Sequence, residues 1–374
     1  MISRIAKRWS VFAMFCLIAF HNEAFARKRI CVIGAGRSGL SALRVVSESI
    51  DKFEPIAIER NSDVGGLWIY RDDPEKDEHG IEAPSGIYKN LRTITPIASM
   101  IYPDYPTFLS GEIHEFVSHQ TFLEYMRNFT SHFQLRQYIQ FNTLVTKVKP
   151  AHNGCRRGKI SWLLKKLNLN MNVSEEIICD GVIVCSGLYS KPYMPEIPGL
   201  TKTFPGQILH SRNYRVPQPF TNKTVVILGG AASALGIAAD LSKYATTIYL
   251  SSRKSIDQMD MLHAVECNWS LLEKWKIVPQ VIAADGNHLI LKDNSTITAD
   301  AFIFCTGYMV DFPFLDVQSG VKFDAKHKLY PLTKGYINKI YQSMAFIGLR
   351  DSDYAFPGEQ YSEVKYFLKW LEEH

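Results

Sequence analysis

Six residues, Gly34-Ala35-Gly36-Arg37-Ser38-Gly39, have the types and spacing to hold a pyrophosphate. The first two glycines permit a tight turn and a close backbone approach to phosphate, and the third lets a helix pack near its strand. The apolar run Ile30-Cys31-Val32-Ile33 leads into the turn, and Leu40-Ser41-Ala42-Leu43-Arg44-Val45-Val46 leads away with helical spacing. A helix that starts there offers unpaired N–H groups and partial positive charge. Glu59 closes the next apolar strand, Pro55-Ile56-Ala57-Ile58, and is placed to take ribose hydroxyls. A degraded second copy, Gly229-Gly230-Ala231-Ala232-Ser233-Ala234, follows the strand Val225-Val226-Ile227-Leu228. Gly229 allows the turn, and Ser233 can bond a phosphate at the helix start. Two nucleotide sites in one chain point to two cofactors that exchange electrons.

The elements that must position these turns are those of an α/β protein with two Rossmann-like dinucleotide-binding domains. After Glu59 the chain runs through a long Gly-, Pro- and aromatic-rich loop, about Val64 to Glu115; loops of this length inside a domain are usually functional. Spacing predicts a helix over Thr121–Gln137, with Phe122, Tyr125, Met126 and Phe129 on one face. Strands are expected near Phe141–Val148 and Trp162–Leu169, then a continuously apolar, buried strand at Gly181–Gly187. The Pro-rich stretch Lys191–Gly199 marks a domain boundary. A second nucleotide unit follows, and Asp300–Tyr308 returns to a buried strand. The expected division is 1–26 signal peptide, 27–195 first part of the first domain, 196–299 inserted second domain, and 300–374 the rest of the first. An amphipathic helix over Glu359–Glu373, with Tyr366, Phe367 and Trp370 apolar, ends the chain.

Composition narrows the class. The 374 residues are 46% hydrophobic and 21% charged, ordinary for a globular protein with a core. The net charge of +5 is spread along the chain, with no basic, aromatic-interleaved stripe that would argue for nucleic acid. At the N-terminus Arg4, Lys7 and Arg8 precede the apolar run Val11–Phe20 and an Ala24-Phe25-Ala26 site. This reads as a signal peptide cleaved before Arg27 and a secreted protein, with the ER lumen or an ER membrane anchor as the alternative. Five N-glycosylation triplets, at Asn128, Asn172, Asn222, Asn268 and Asn294, fit the same compartment. Of seven cysteines, Cys16 leaves with the signal peptide; Cys31, Cys185 and Cys305 read as core residues; Cys155, Cys179 and Cys267 are left as candidates for one disulfide. No CxxC pair occurs, which argues against a flavin disulfide reductase. No metal cluster or catalytic triad stands out, and a homo-oligomer is left open.

Four ordered motifs carry a family resemblance over nearly all of the expected mature chain. Phe204–Tyr214 fits FxGxxxHxxxY and resembles the identifying motif of class B flavin monooxygenases, with the final tyrosine pointing to the flavin-containing monooxygenase branch. Asp300–Tyr308, including Thr306 and Gly307, is similar to that family's D-x-x-x-(L/F)-A-T-G-Y element, with Cys305 in place of alanine. Val64-Gly65-Gly66-Leu67-Trp68 resembles its GG(L/T)W segment, and Met100–Pro106 a further one. Together with a signal peptide, the pattern is similar to secreted insect-type enzymes that N-oxygenate plant alkaloids. The resemblance implies FAD at Gly34, Gly36, Ser38, Gly39, Glu59, Gly66, Leu67 and Trp68, a cofactor contact at Thr306 and Gly307, and NADPH at the second turn. It implies that NADPH reduces FAD, that O2 forms a flavin hydroperoxide, and that a soft amine or sulfide substrate attacks its distal oxygen. The cofactor carries that chemistry and the protein orients and shields it. His210 is the one histidine in a motif, either a proton-handling residue or an interdomain hydrogen-bonding one.

Two departures bear on activity. The family reads LRTN-x-P where this chain has Leu91-Arg92-Thr93-Ile94-Thr95-Pro96, so Ile94 stands where an asparagine would face the flavin. Losing one oriented donor costs about 3 kcal/mol at a developing charge, and Thr93 or Thr95 is the substitute at hand. Ala231 replaces the middle glycine of the second turn and crowds a pyrophosphate. Arg253, after the strand Ile248-Tyr249-Leu250, is placed to pair with a 2′-phosphate and favours NADPH over NADH. Three functions follow: a secreted monooxygenase of amine or sulfide xenobiotics, an uncoupled NADPH oxidase that releases peroxide, or an FAD-binding protein without turnover.

Overall fold

The computed structural model describes residues 27–82, 85–107, 116–151, 160–253, 273–324, 328–349 and 356–374. The expected signal peptide, Cys155, Cys267 and the Asn268 triplet lie outside the described residues.

The first unit opens with β1 (Lys28–Ile33), α1 (Arg37–Ser47) and β2 (Phe53–Ile58). Past the long loop come α2 (His119–His132), β3 (Ile139–Gln140), a meander of β4 (Thr143–Pro150), β5 (Trp162–Asn168) and β6 (Val173–Cys179), and then β7 (Gly181–Val184). A connection holds β8 (Lys191–Pro192), α3 (Leu200–Thr203) and β9 (Gln207–His210). The second unit then repeats the first: β10 (Thr224–Leu228), α4 (Ala232–Leu241), β11 (Thr247–Ser251) and β12 (Trp275–Val278). Its meander is β13 (Val281–Asp285), β14 (His288–Leu291) and β15 (Thr296–Thr298), and β16 (Ala301–Phe304) closes it. The chain returns through β17 (Tyr308–Met309), which pairs with β8, and ends in α5 (Pro357–Glu373).

The repetition is one of topology. The first sheet contains the run β3-β2-β1-β7 and the second the run β12-β11-β10-β16, all parallel. A three-stranded meander precedes the last strand of each run. In each, the first glycine donates to the last carbonyl of the neighbouring strand: Gly34 N to Ile58 O at 2.8 Å, Gly229 N to Ser251 O at 3.0 Å. The glycine turns therefore occupy equivalent places at the carboxyl ends of parallel strands, where such sheets bind ligands.

Alternation along β1 builds two cores. Ile30 and Val32 face α1, α2 and α5, where Phe122, Met126, Phe129 and Phe367 pack; Cys31 and Ile33 face the meander and Trp162. The helix expected from Thr121 starts at His119, because the Ser118 hydroxyl caps it by accepting from Thr121 N. It stops at His132, before Gln134 adopts a left-handed backbone. In α5, Phe367 is buried, whereas Tyr366 faces solvent.

Three expectations need correction. The sequence reading lacks β6, whose residues Val173–Glu176 are all exposed and so show no apolar pattern. β16 lies between β10 and β9 in the second sheet, so the chain leaves the inserted unit after Phe304, not at residue 299. Cys31 is not a free core residue: it is bonded to Cys179 across 148 residues, pinning the meander to β1. A closure this long is worth on the order of 4–5 kcal/mol in the loop-entropy account.

Candidate functional site

The two turns open on one cavity of about 1590 Å³ between the units. It exceeds the 300–1,000 Å³ typical of a single drug-sized ligand. Of the expected site residues, Gly34, Gly36, Ser38, Glu59, Gly66, Leu67, Trp68, Thr93, Ile94 and Ser233 line it.

The first turn is built by backbone approach. Gly34 has φ of 100°, and a Cβ there would sit 2.8 Å from Cys185 O. A Cβ on Gly39 would fall 1.9 Å from Gly34 O, so helix and turn are in contact through backbone alone. Gly65 donates to Ala35 O at 3.0 Å, which lays the Gly66–Trp68 turn across the cradle. Glu59 is buried at its far side and accepts from Ala35 N at 2.6 Å and Asn61 N at 2.8 Å. Burial raises its carboxyl pKa, and those two backbone donors oppose the rise. A carboxylate has about four acceptor sites, so lone pairs remain for ribose hydroxyls. Glycines that leave room for a phosphate, a helix start and a buried carboxylate fit FAD.

The second turn matches in geometry and differs in chemistry. Gly229 has φ of 138°, and a Cβ there would meet Cys305 O at 2.3 Å, the counterpart of the Gly34–Cys185 contact. Ala231 caps α4 with φ −106° and ψ −171°, close to the −76° and −170° of Gly36. Its methyl group is accommodated without backbone strain but is exposed on the cavity wall. The shared register places Ser252 where the first unit has Glu59, so no carboxylate would meet a 2′-phosphate. Arg253 is the next residue, exposed and outside the cavity lining.

Thr93 is fixed by a reciprocal pair: its N–H donates to Val117 O at 2.8 Å, and its Oγ1 accepts from Val117 N at 3.1 Å. Ile94, next along, is half-buried and turned to the cavity. His210 does not reach it. Nε2 donates to Gly307 O at 3.1 Å, Nδ1 accepts from Arg212 N at 3.1 Å, and burial lowers the ring pKa to about 4. Both nitrogens are committed to backbone, which makes His210 a neutral clamp and leaves it no proton-handling position. Thr306 and Gly307, expected beside a cofactor, also lie off the cavity. Thr306 Oγ1 donates to Tyr193 O, and Gly307 O accepts from Tyr193 N, tying the return strand to the connection. Their first-unit counterparts, Ser186 and Gly187, do line it. Sequence reasoning missed them, although Cys185-Ser186-Gly187 echoes Cys305-Thr306-Gly307. It also missed Arg71, whose guanidinium donates to Asn61 Oδ1 at 2.7 Å beside Glu59.

Comparison with known proteins agrees with this architecture. A model of the family described as flavin-binding monooxygenase-like matches residues 27–276. Flavin-containing monooxygenase FMO GS-OX3 of Arabidopsis thaliana is 32% identical over 334 residues, covering 86% of this chain and 69% of that protein. Among solved structures, Tmm from Pelagibacter superposes with a TM-score of 0.76 at 25% identity, over 91% of this chain and 76% of that one. S-allyl-L-cysteine S-oxygenase from Allium sativum superposes with a TM-score of 0.73 at 25% identity, over 93% and 83%. With a family model matching well over half its length and a relative above 30% identity, the chain belongs to the flavin-binding monooxygenases: it is an enzyme of the flavin-containing monooxygenase type that uses FAD and NADPH.

Proposed function

We propose that the chain transfers one oxygen atom from O2 to a soft sulfur or nitrogen of a small xenobiotic, such as a thioether or a tertiary-amine alkaloid, with FAD on the first turn and NADPH on the second. The observation that carries this is the pair of equivalent turns facing one cavity, with Glu59 at the first and Ser252-Arg253 at the corresponding place of the second. The S-oxygenase among its structural neighbours supports a sulfide as the first substrate to try. When bound, reduced FAD supplies the oxygen-activating chemistry. The protein's part is to hold both dinucleotides, keep water from the cavity and present the substrate. NADPH oxidation measured with a panel of sulfides and tertiary amines, with product and peroxide both quantified, tests this. Oxygenated product in proportion to NADPH supports it. NADPH consumed only into peroxide would leave the second reading, an uncoupled oxidase, which Ile94 on the cavity wall favours. Bound flavin that NADPH does not reduce would leave a protein without turnover.

Glu59→Ala should weaken FAD retention by roughly ten- to a hundredfold. Hydrogen bonds to a charged group are worth about 1.5–3 kcal/mol, and the change also strands the Ala35 and Asn61 N–H groups. Flavin remaining after gel filtration measures it; retention equal to wild type would remove Glu59 from the ribose. At the second turn, Arg253→Ala should raise KM for NADPH about tenfold and leave NADH nearly unchanged, because only NADPH carries the 2′-phosphate. Ala231→Gly should lower KM for both by a few-fold, since they share the pyrophosphate. Equal effects of Arg253→Ala on the two cofactors would discard the 2′-phosphate contact.

Secretion is part of the same reading. Asn172, Asn222 and Asn294 sit exposed at turns with positive φ, accessible to glycosylation, and a buried disulfide suits an oxidising compartment. Protein recovered from the medium should begin at Arg27 and shift in mass with glycosidase. Material that keeps Met1 and stays in the membrane fraction would overturn this.

A further inference from the structure

We infer that Gln360, on the C-terminal helix, orients the Ser38 hydroxyl as a hydrogen-bond donor into the first phosphate cradle. The inference rests on the placement of FAD at that turn. α5 brings Gln360, fully buried, against the start of α1. Its Nε2 donates to Ser38 Oγ at 2.9 Å, and its Oε1 accepts from Ser41 Oγ at 2.9 Å. A serine hydroxyl has one proton and two lone pairs. With a lone pair engaged by the amide N–H, the Ser38 proton is turned away from Gln360, and Ser38 lines the cavity. The reverse amide orientation would consume that proton. Ser41 opposes the reversal: its own proton meets Gln360 Oε1 at 2.9 Å, nearer than the alternative acceptor, Arg37 O at 3.2 Å. Gly348 keeps the hydroxyl uncrowded, since a Cβ there would lie 2.5 Å from Ser38 Oγ. Gln360 is thus a positioning residue: it acts on phosphate through Ser38, across 322 residues of sequence.

The test uses the full-length protein. Gln360→Met keeps the side chain's length but not its amide. It should speed FAD release and weaken FAD affinity by about tenfold, the lower end for a hydrogen bond to a charged group. Ser38→Ala should lose a similar factor, and the double variant should be no worse than Ser38→Ala alone. In competition with FAD, affinity for ADP should fall in parallel while affinity for adenosine stays, because only ADP carries the phosphates. Additive losses, or wild-type FAD affinity in Gln360→Met, would overturn the inference. So would an equal fall for ADP and adenosine together with a lower thermal midpoint, which would make Gln360 a packing residue. If Glu59→Ala and Ser38→Ala both keep FAD, the placement of FAD itself fails.

Discussion

Gly39→Ala should yield a protein that retains much less flavin than wild type. The added Cβ would lie 1.9 Å from Gly34 O and 2.7 Å from Gly34 C, and both are backbone atoms that no rotamer change can move. Relief requires α1 to lift from β1 or the turn to open. Lifting α1 would disturb the packing of fully buried Leu40 and Leu43. Overpacking of this kind costs typically about 1–3 kcal/mol, and more where the obstacle is rigid. The second unit holds Ala234 at the place of Gly39 with its turn glycine, Gly229, at φ 138° rather than the 100° of Gly34, and opening the first turn in that way displaces the N–H groups that meet the phosphates. Both routes cost flavin affinity. Gly36→Ala supplies the contrast: its Cβ would stand 3.5 Å from Gly66 Cα, an ordinary contact, and the second unit already carries Ala231 in that place with a similar backbone. It should fold with a near-wild-type thermal midpoint and lose only part of its flavin. Flavin absorbance per protein, read beside that midpoint, checks both. A Gly39→Ala protein as yellow as wild type would mean that helix and turn are not in contact in solution.

That contact was legible in the sequence because it is local. Strand, glycines and helix fall within residues 28–47, and their order alone fixes the turn. Glu59 was legible for the same reason, one strand further on. Features set by long-range register were not. The apolar run Ala301–Phe304 announces a buried strand, but nothing in it states that β10 and β9 are its neighbours. Cys31 reads as core because it is core; that Cys179 meets it depends on how β6 returns across the sheet. His210, Thr306 and Gly307 were placed by motif, and a motif does not say whether its residues touch ligand or brace the backbone behind it. Here they brace: the His210 ring and Tyr193 N converge on Gly307 O. The duplicated topology carried more information than either copy. It maps Thr306-Gly307 onto Ser186-Gly187, which do line the cavity, and Glu59 onto Ser252.

The same contrast between local identity and position governs Ile94. Ile94→Asn should raise the share of NADPH that ends in oxygenated substrate and lower the share released as hydrogen peroxide. The segment before it is firmly held: His119 N donates to Leu91 O at 3.1 Å, and Thr93 and Val117 bond reciprocally. A side chain at 94 is therefore presented to the cavity from a fixed backbone, and an asparagine there would offer two N–H donors where isoleucine offers none. An oriented donor at a site of developing negative charge is worth about 10²–10³ in rate, or about 3–4 kcal/mol. A gain of about a hundredfold in the lifetime of the oxygenating state, measured in rapid-mixing absorbance, is expected. Thr95, which also lines the cavity, is the competing donor. If Thr95 already serves, Ile94→Asn will change little, while Thr95→Ala will make the enzyme leak peroxide. If wild type shows little peroxide release with a good sulfide substrate and neither substitution alters it, the cavity holds the oxygenating state by excluding water alone, and the missing donor at position 94 carries no weight in the chemistry.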